Sequence, residues 1–403
     1  MSSLFKLTAR VGHPGLLDLS WEQPLLEWES DRMVEVVRGI SRHVVRFIEL
    51  DGDVYALKEL PERPARREYA LLRNLEDLGL PVVEVVGIAT GRSEEQDAVL
   101  ITRHLDYSLP YRALFAGHAV PDLRTHLLNA LAELLARLHV RGFFWGDCSL
   151  SNTLFRRDAG ALSAYLVDAE TGELHEQLSE GQRRYDIEIA QMNILGELLD
   201  VDAEVGLPDE IDPEQIADEV IARYEALWSE LTRDELFGPE ELYRVDERLR
   251  RLNELGFDVD EIDLVAGEDG YRLRLEPQVV EPGHHRHRLL RLTGLDAEEN
   301  QARRMLNSIA RHRKTLERDQ GRAVPEAVAA SHWRTHVFEP TINAVPDELW
   351  ERLPAAEVFH QVLEHRWFAS EKAGKDVGID KAVRSYVESI LPKTPTERVI
   401  LEE

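Results

Sequence analysis

The chain has 403 residues, 43% hydrophobic and 31% charged, a composition suited to buried cores and two or three domains. A formal net charge of −28 argues against generic binding to nucleic acid or an anionic membrane. No run approaches the roughly 18 apolar residues of a membrane span, the first residues lack a secretory apolar stretch, and the single Cys148 fits a reducing compartment, so a cytoplasmic location is expected.

Residues 33–60 read as three strands. Val34, Val36 and Val37 open the first, and "VVRFIEL" and "VYALKEL" flank Asp51–Gly52–Asp53, where Asp-Gly predicts a hairpin. Arginine supplies 41 of the 48 basic residues, and Lys58, in the third strand, is the single lysine between Lys6 and Lys314. A lone lysine on an apolar strand points to a need for a compact ammonium. "REYALLRNLEDLG" has Tyr69, Leu72 and Leu75 at helical spacing, with Gly79 to end it. "PVVEVVGIA" and "DAVLITRHL" complete a five-stranded α+β unit over residues 1–105.

Over residues 106–205 the pattern turns helical. "PDLRTHLLNALAELLARLHVRG" has Asp122 as cap, leucines at helical spacing and Gly142 at its end. "RGFFWGDCSLSNTLF" follows, then a strand "AYLVD" ending at Asp168, then the helix "YDIEIAQMNILGELL". Residues 206–403 form a third unit. Its first helix begins Asp212–Pro213 with Gln215 as capping-box partner. Another helix runs to about Gly256, "EIDLVAGEDGYRLRLEPQVV" reads as a β-hairpin, and the remainder is helical, including 296–318 and 379–391. Residues 272–322 carry 12 Lys or Arg against 7 Asp or Glu. That segment is either a solvated basic helix face or an anion or partner site.

Five polar residues stand out in this layout: Lys58 on the third strand, Glu68 in the next helix, Asp147 and Asn152 after the long helix, and Asp168 at a strand end. This order resembles the protein-kinase-like superfamily over residues 33–200. The resemblance implies a bilobal α+β fold: a five-stranded antiparallel amino-terminal lobe, a reduced helical second lobe, and then a mostly helical carboxy-terminal domain with its hairpin. It also implies ATP with Mg²⁺, or Mn²⁺ in its place. Lys58 would hold the α- and β-phosphates and pair with Glu68, with Glu59 and Glu62 as substitutes. Asn152 and Asp168 would bind metal, and Asp147 would take or orient the acceptor hydroxyl's proton. By the same resemblance Ala56 would leave room for adenine, Gly39, Ser41 and Arg42 would be phosphate contacts, and Asp186 would brace the catalytic loop.

The departures are informative. A glycine-rich loop is missing from "VRGISRH", Trp145–Gly146–Asp147 replaces His-Arg-Asp, and Asp168–Ala169–Glu170 replaces Asp-Phe-Gly. The reduced lobe is more similar to lipopolysaccharide kinases and aminoglycoside or choline phosphotransferases than to eukaryotic protein kinases. The whole chain also resembles a bacterial family in which such a lobe precedes a domain of unknown function, on "HWRTHVFEPTINAVP" and "EVFHQVLEHRWFASEKAGKDVG". Trp333, Phe338, Trp367 and Phe368 are expected in core or inter-domain packing, Cys148 as a packing residue, and His284, His285 and His287 as exposed bases. The leading reading is an atypical phosphotransferase acting on a hydroxyl of a small molecule, glycan or protein. The alternatives are a pseudokinase that senses nucleotide, or an interaction protein with a vestigial fold. Oligomeric state is left open.

Overall fold

The structure, a computed structural model, describes residues 4–36, 42–92, 96–111, 123–208, 211–232, 258–259, 263–267, 270–274, 279–280, 283–394 and 396. Gly39 and Ser41, and the helix expected to end near Gly256, lie outside the described residues.

Six antiparallel strands form the amino-terminal sheet: β1 (Lys6–Ala9), β2 (Met33–Val34), β3 (Val44–Leu50), β4 (Asp53–Leu60), β5 (Val85–Thr90) and β6 (Ala98–Arg103), in spatial order β1-β5-β6-β4-β3-β2. The five expected strands are there, and β1 extends the sheet by pairing with β5. Asp51 and Gly52 both have positive φ (55° and 86°), the two-residue turn that suits a twisted hairpin. Its register places Lys58 between Val45 and Leu100, and Ala56 between Phe47 and Thr102. Helix α1 (Glu62–Asp77) follows β4 and ends at Gly79, which takes φ +71°. Trp21, Trp28, Leu16 and Leu25 cover one face of the sheet by packing on Ile48, Tyr55, Leu57 and Ile101.

A short strand β7 (Leu109–Pro110) leads into the second lobe. Helix α2 (Leu123–Val140) buries Leu127, Leu131, Leu134 and Leu138 as its periodicity requires, each worth roughly 2 kcal/mol. It turns at Gly142 (φ +77°), where a Cβ would meet His175 O at 2.2 Å. The two-residue strand β8 (Phe143–Phe144) then leads to β9 (Thr153–Asp158) and β10 (Ala161–Leu166), an antiparallel hairpin closed by Ala159 and Gly160, both at positive φ. β10 is the expected strand. β9 was not anticipated, because "TLFRRD" shows neither clean alternation nor an apolar run. Helix α3 (Glu180–Val205) opens on a Ser179–Gln182 capping box. Helix α4 (Pro213–Thr232) begins with Asp212 accepting from Glu214 N–H, and it buries Ile216, Val220 and Tyr224 in the same core as α2.

Asp263–Gly267 and Gly270–Arg274 pair as the expected hairpin. Helices α5 (His284–Thr293), α6 (Glu299–Gln320), α7 (Glu326–Trp333), α8 (Ala355–Ala373) and α9 (Ile379–Ser389) follow, built around a second core with Trp333, Phe338, Phe359 and Tyr386. Trp333 and Phe338 are buried as expected. Trp367 and Phe368 are not: they stand 59% and 56% exposed, edge to face, with Phe368 at a cavity it shares with Leu123 and Gly160. Arg286, Arg288 and Arg313 of the basic segment pair with Asp296, Glu326 and Glu317. Among the described residues no helix is long and apolar enough to cross a membrane.

Candidate active site

Strand β4 and helix α1 bring Lys58 and Glu68 together beneath the sheet. Lys58 Nζ donates to Glu68 Oε2 at 3.0 Å and to Asp168 Oδ2 at 2.7 Å, and lies 3.6 Å from Glu170 Oε2. Glu68 is therefore the partner of Lys58. Glu59 instead pairs with Arg92, and Glu62 with Arg66 on the surface. Glu68 is 1% exposed, and burial followed by the charge of Asp168 pushes its carboxyl up to about 8 against the pull of Lys58. Burial alone would lower the Lys58 ammonium, yet Glu68 and Asp168 raise it on balance. Burial alone would raise Asp168, and Lys58 instead holds it below the usual carboxylate range. Carboxylate oxygens of Glu68, Asp168 and Glu170 lie within 4.8 Å of one another, so one ammonium faces three acids.

The segment after α2 is held by two acids of α3, one of them fully buried. Asp186, fully buried, accepts from Trp145 N–H and Gly146 N–H, each at 2.7 Å, and lies 3.0 Å from His139 Nε2. His139 in turn contacts Tyr224 Oη of α4 at 2.6 Å through Nδ1. Glu197 of α3 accepts from Leu150 N–H at 2.7 Å and Ser151 N–H at 3.2 Å. Trp145 Nε1 donates to the carbonyl of Asp168 at 2.9 Å, tying the two halves of the site. The Asp147 carboxylate accepts from Asn152 Nδ2 and Asn193 Nδ2, each at 3.1 Å. Burial raises its pKa, with Arg42 opposing.

These groups open into one cavity of about 490 Å³ between the lobes. Val45, Ala56, Leu100 and Thr102 line its sheet side, and Lys58, Glu68, Asp147, Asn152 and Asp168 its polar side. Arg42 reaches the same cavity, with Nη2 3.7 Å from Asp147 Oδ2, and His43 Nε2 sits 2.8 Å from Glu170 Oε2. Asp186 stands behind the loop. Sequence reasoning missed Glu170, His43, Asn193 and Glu197 as members of this network. Glu170 had a signal, its place two residues after Asp168. Asn193 and Glu197 had only their shared face on α3.

An ammonium bridging two acids, an asparagine five residues past an aspartate and an apolar slot under a sheet are the parts of a kinase-like cleft. Residues 40–193 match the lipopolysaccharide kinase (Kdo/WaaP) family. That span of the kinase-like region holds Lys58, Glu68, Asp147, Asn152, Asp168 and Asp186. Residues 226–391 match a domain of unknown function, DUF4032. No curated protein matches the chain. Among solved structures, one described as WaaP in complex with acyl carrier protein is similar at 18% identity and a TM-score of 0.38, over 62% of this chain and 99% of that one. Cys148, beside Asp147, is fully buried, and burial pushes its thiol well up, as suits a packing residue.

Proposed function

We propose that the protein is an atypical ATP-dependent phosphotransferase that phosphorylates a hydroxyl group. The observation that carries this reading is the junction of Lys58 with both Glu68 and Asp168 in a cavity that Asp147 and Asn152 also line. Phosphoryl transfer is mainly positioning and charge neutralisation, and each part has a residue. Lys58, fixed by Glu68, holds the α- and β-phosphates. Ala56 and Leu100 leave an apolar slot for adenine. Asp147, oriented by Asn152 and Asn193, accepts or aims the proton of the acceptor hydroxyl. Arg42 is a contact for phosphate at the cavity mouth.

The oxygen-rich cluster of Asp168, Glu170 and Glu68, with the amide of Asn152 lining the same cavity, fits a hard divalent cation such as Mg²⁺ or Mn²⁺. Asp168 and Asn152, with Glu170, would hold it. The ion supplies charge neutralisation on the phosphates. A pseudokinase reading is favoured by one observation, the contact of Arg42 with Asp147, which engages the group expected to face the acceptor.

Calorimetric titration with ATP, with and without Mg²⁺ or Mn²⁺, tests the proposal on the parent and on Asp168→Asn. Metal-dependent binding that disappears in the variant supports a nucleotide site, and phosphate transfer to added acceptors then separates enzyme from pseudokinase. A folded parent that binds no nucleotide under any metal condition sinks both.

A further inference from the structure

The hairpin β9–β10 joins the two metal-side residues of the cleft. Its open end carries Asn152 immediately before β9 and Asp168 two residues past β10, held together by Val167 N–H donating to Asn152 O at 3.0 Å. Its closed end lies six residues or about 20 Å away, and none of residues 157–161 lines the cavity. That end is seated in the carboxy-terminal region.

That seating is polar and buried. Asp158 is 1% exposed, and its carboxylate accepts from Gln301 N–H at 2.8 Å and Asn300 N–H at 3.0 Å. These are two of the first amides of α6, which have no backbone partner within the helix and mark its positive end, and Gln301 N–H is also capped by the Glu298 side chain. Ala159 N–H donates to Glu357 Oε2 of α8 at 3.1 Å, and Gln301 Nε2 bridges Glu357 and the carbonyl of Arg157. One ladder step from the open end, where Tyr165 pairs with Leu154, Tyr165 Oη donates to Glu298 Oε2 at 2.5 Å, and Arg286 Nη1 donates to Tyr165 Oη at 3.0 Å. Arg156 pairs with Glu298 at 3.0 Å.

We propose that the carboxy-terminal region is the positioning element of the cleft, which through Asp158–α6 and Ala159–Glu357 fixes the hairpin whose far end presents Asn152 and Asp168. The site is then incomplete without residues 283–373, although none of those residues lines the cavity. The effect on nucleotide rests on the function proposed above; the mechanical coupling does not. Buried acceptors shared between two regions suit such a role, because removing one strands amides of the other away from water. A paired hairpin with six residues per strand then transmits displacement along its length.

The test uses the full chain with Glu357→Ala and Gln301→Ala, which leave the kinase-like sequence untouched, and Tyr165→Phe as a milder third variant. Hydrogen exchange is followed at residues 150–170, alongside calorimetry with ATP and Mg²⁺. The expected result is faster exchange at Thr153 and at 166–168, with metal-dependent ATP affinity reduced on the order of tenfold, the usual cost of losing a residue that orients a metal ligand. Faster exchange confined to 157–161, with the open end unchanged in all three folded variants, overturns the proposal. A parent that binds no nucleotide defeats the phosphotransferase reading, and exchange at the open end then decides the coupling by itself.

Discussion

Lys58 Nζ sits 2.7 Å from Asp168 Oδ2 and 3.0 Å from Glu68 Oε2, so one ammonium on the central strand joins a helix of the first lobe to the strand end of the second. Both acids depend on that charge, since Glu68 is nearly inaccessible and Glu170 adds a third carboxylate.

Removing the ammonium should therefore cost stability as well as function. Lys58→Ala leaves buried acids facing one another and is expected to lower the unfolding free energy by about 3 kcal/mol, the scale for breaking a buried ion pair. Urea unfolding measures this. A change under about 0.5 kcal/mol, the scale of an ordinary surface site, shows that the pair does not hold the lobes.

Asp147→Asn and Asp168→Asn should separate two roles. The first is expected to keep nucleotide affinity within about twofold and to lower transfer by about a hundredfold or more, the range for loss of a general base. The second should abolish metal-dependent nucleotide binding. Calorimetry and transfer assays on the same preparations check both, and identical behaviour of the two variants contradicts the division of labour.

The pH dependence of stability follows from Glu68 and Asp158, whose carboxyls are pushed up to about 8 and about 7, each first by burial. A carboxyl raised on folding binds its proton more tightly in the folded state. Its contribution is complete below the unfolded value and is lost as pH rises through the folded one. Asp168, held low, acts oppositely and only in acid. Unfolding free energy should thus fall by roughly several kcal/mol between about pH 5 and about pH 8. Glu68→Gln should flatten that slope, and an equally steep profile in the variant argues against the assignment.

Asp186→Ala should act on the loop. It strips the acceptor from Trp145 and Gly146 amides and from buried His139, costing about 3 kcal/mol for stranded polar groups. Chemical denaturation gives the cost. Transfer is expected to fall further than nucleotide affinity, because the loop carries Asp147, whereas Lys58 is on the sheet. Equal losses would mean that the whole cleft has collapsed.

The exposed pair Trp367 and Phe368 offers a contrast. Each should tolerate change to Ser within about 0.5 kcal/mol, as surface positions do. Thermal unfolding of Trp367→Ser checks this, and a drop of several degrees would show that α8 needs the ring.

The amino-acid sequence by itself determined the β3–β4 hairpin, because Asp51–Gly52 suits positive φ at two successive residues. It determined α2, whose leucines repeat at one period. Through its resemblance to kinases it also pointed to Lys58, Asp147, Asn152 and Asp168, with Glu68 still open against Glu59 and Glu62, and the structure brings Lys58, Glu68, Asp147, Asn152 and Asp168 to one cavity. Tertiary structure decided what depends on partners distant in the chain. His43 meets Glu170 across 127 residues, and Asp158 meets Gln301 across 143. A local pattern carries no record of such pairs. Strand β9 forms because β10 offers it a ladder and α6 accepts its polar end, so mixed "TLFRRD" gave no period to read. Trp367 and Phe368 read as core or inter-domain packing because burial was inferred from side-chain type, whereas the rotation of α8 decides how far each ring is covered.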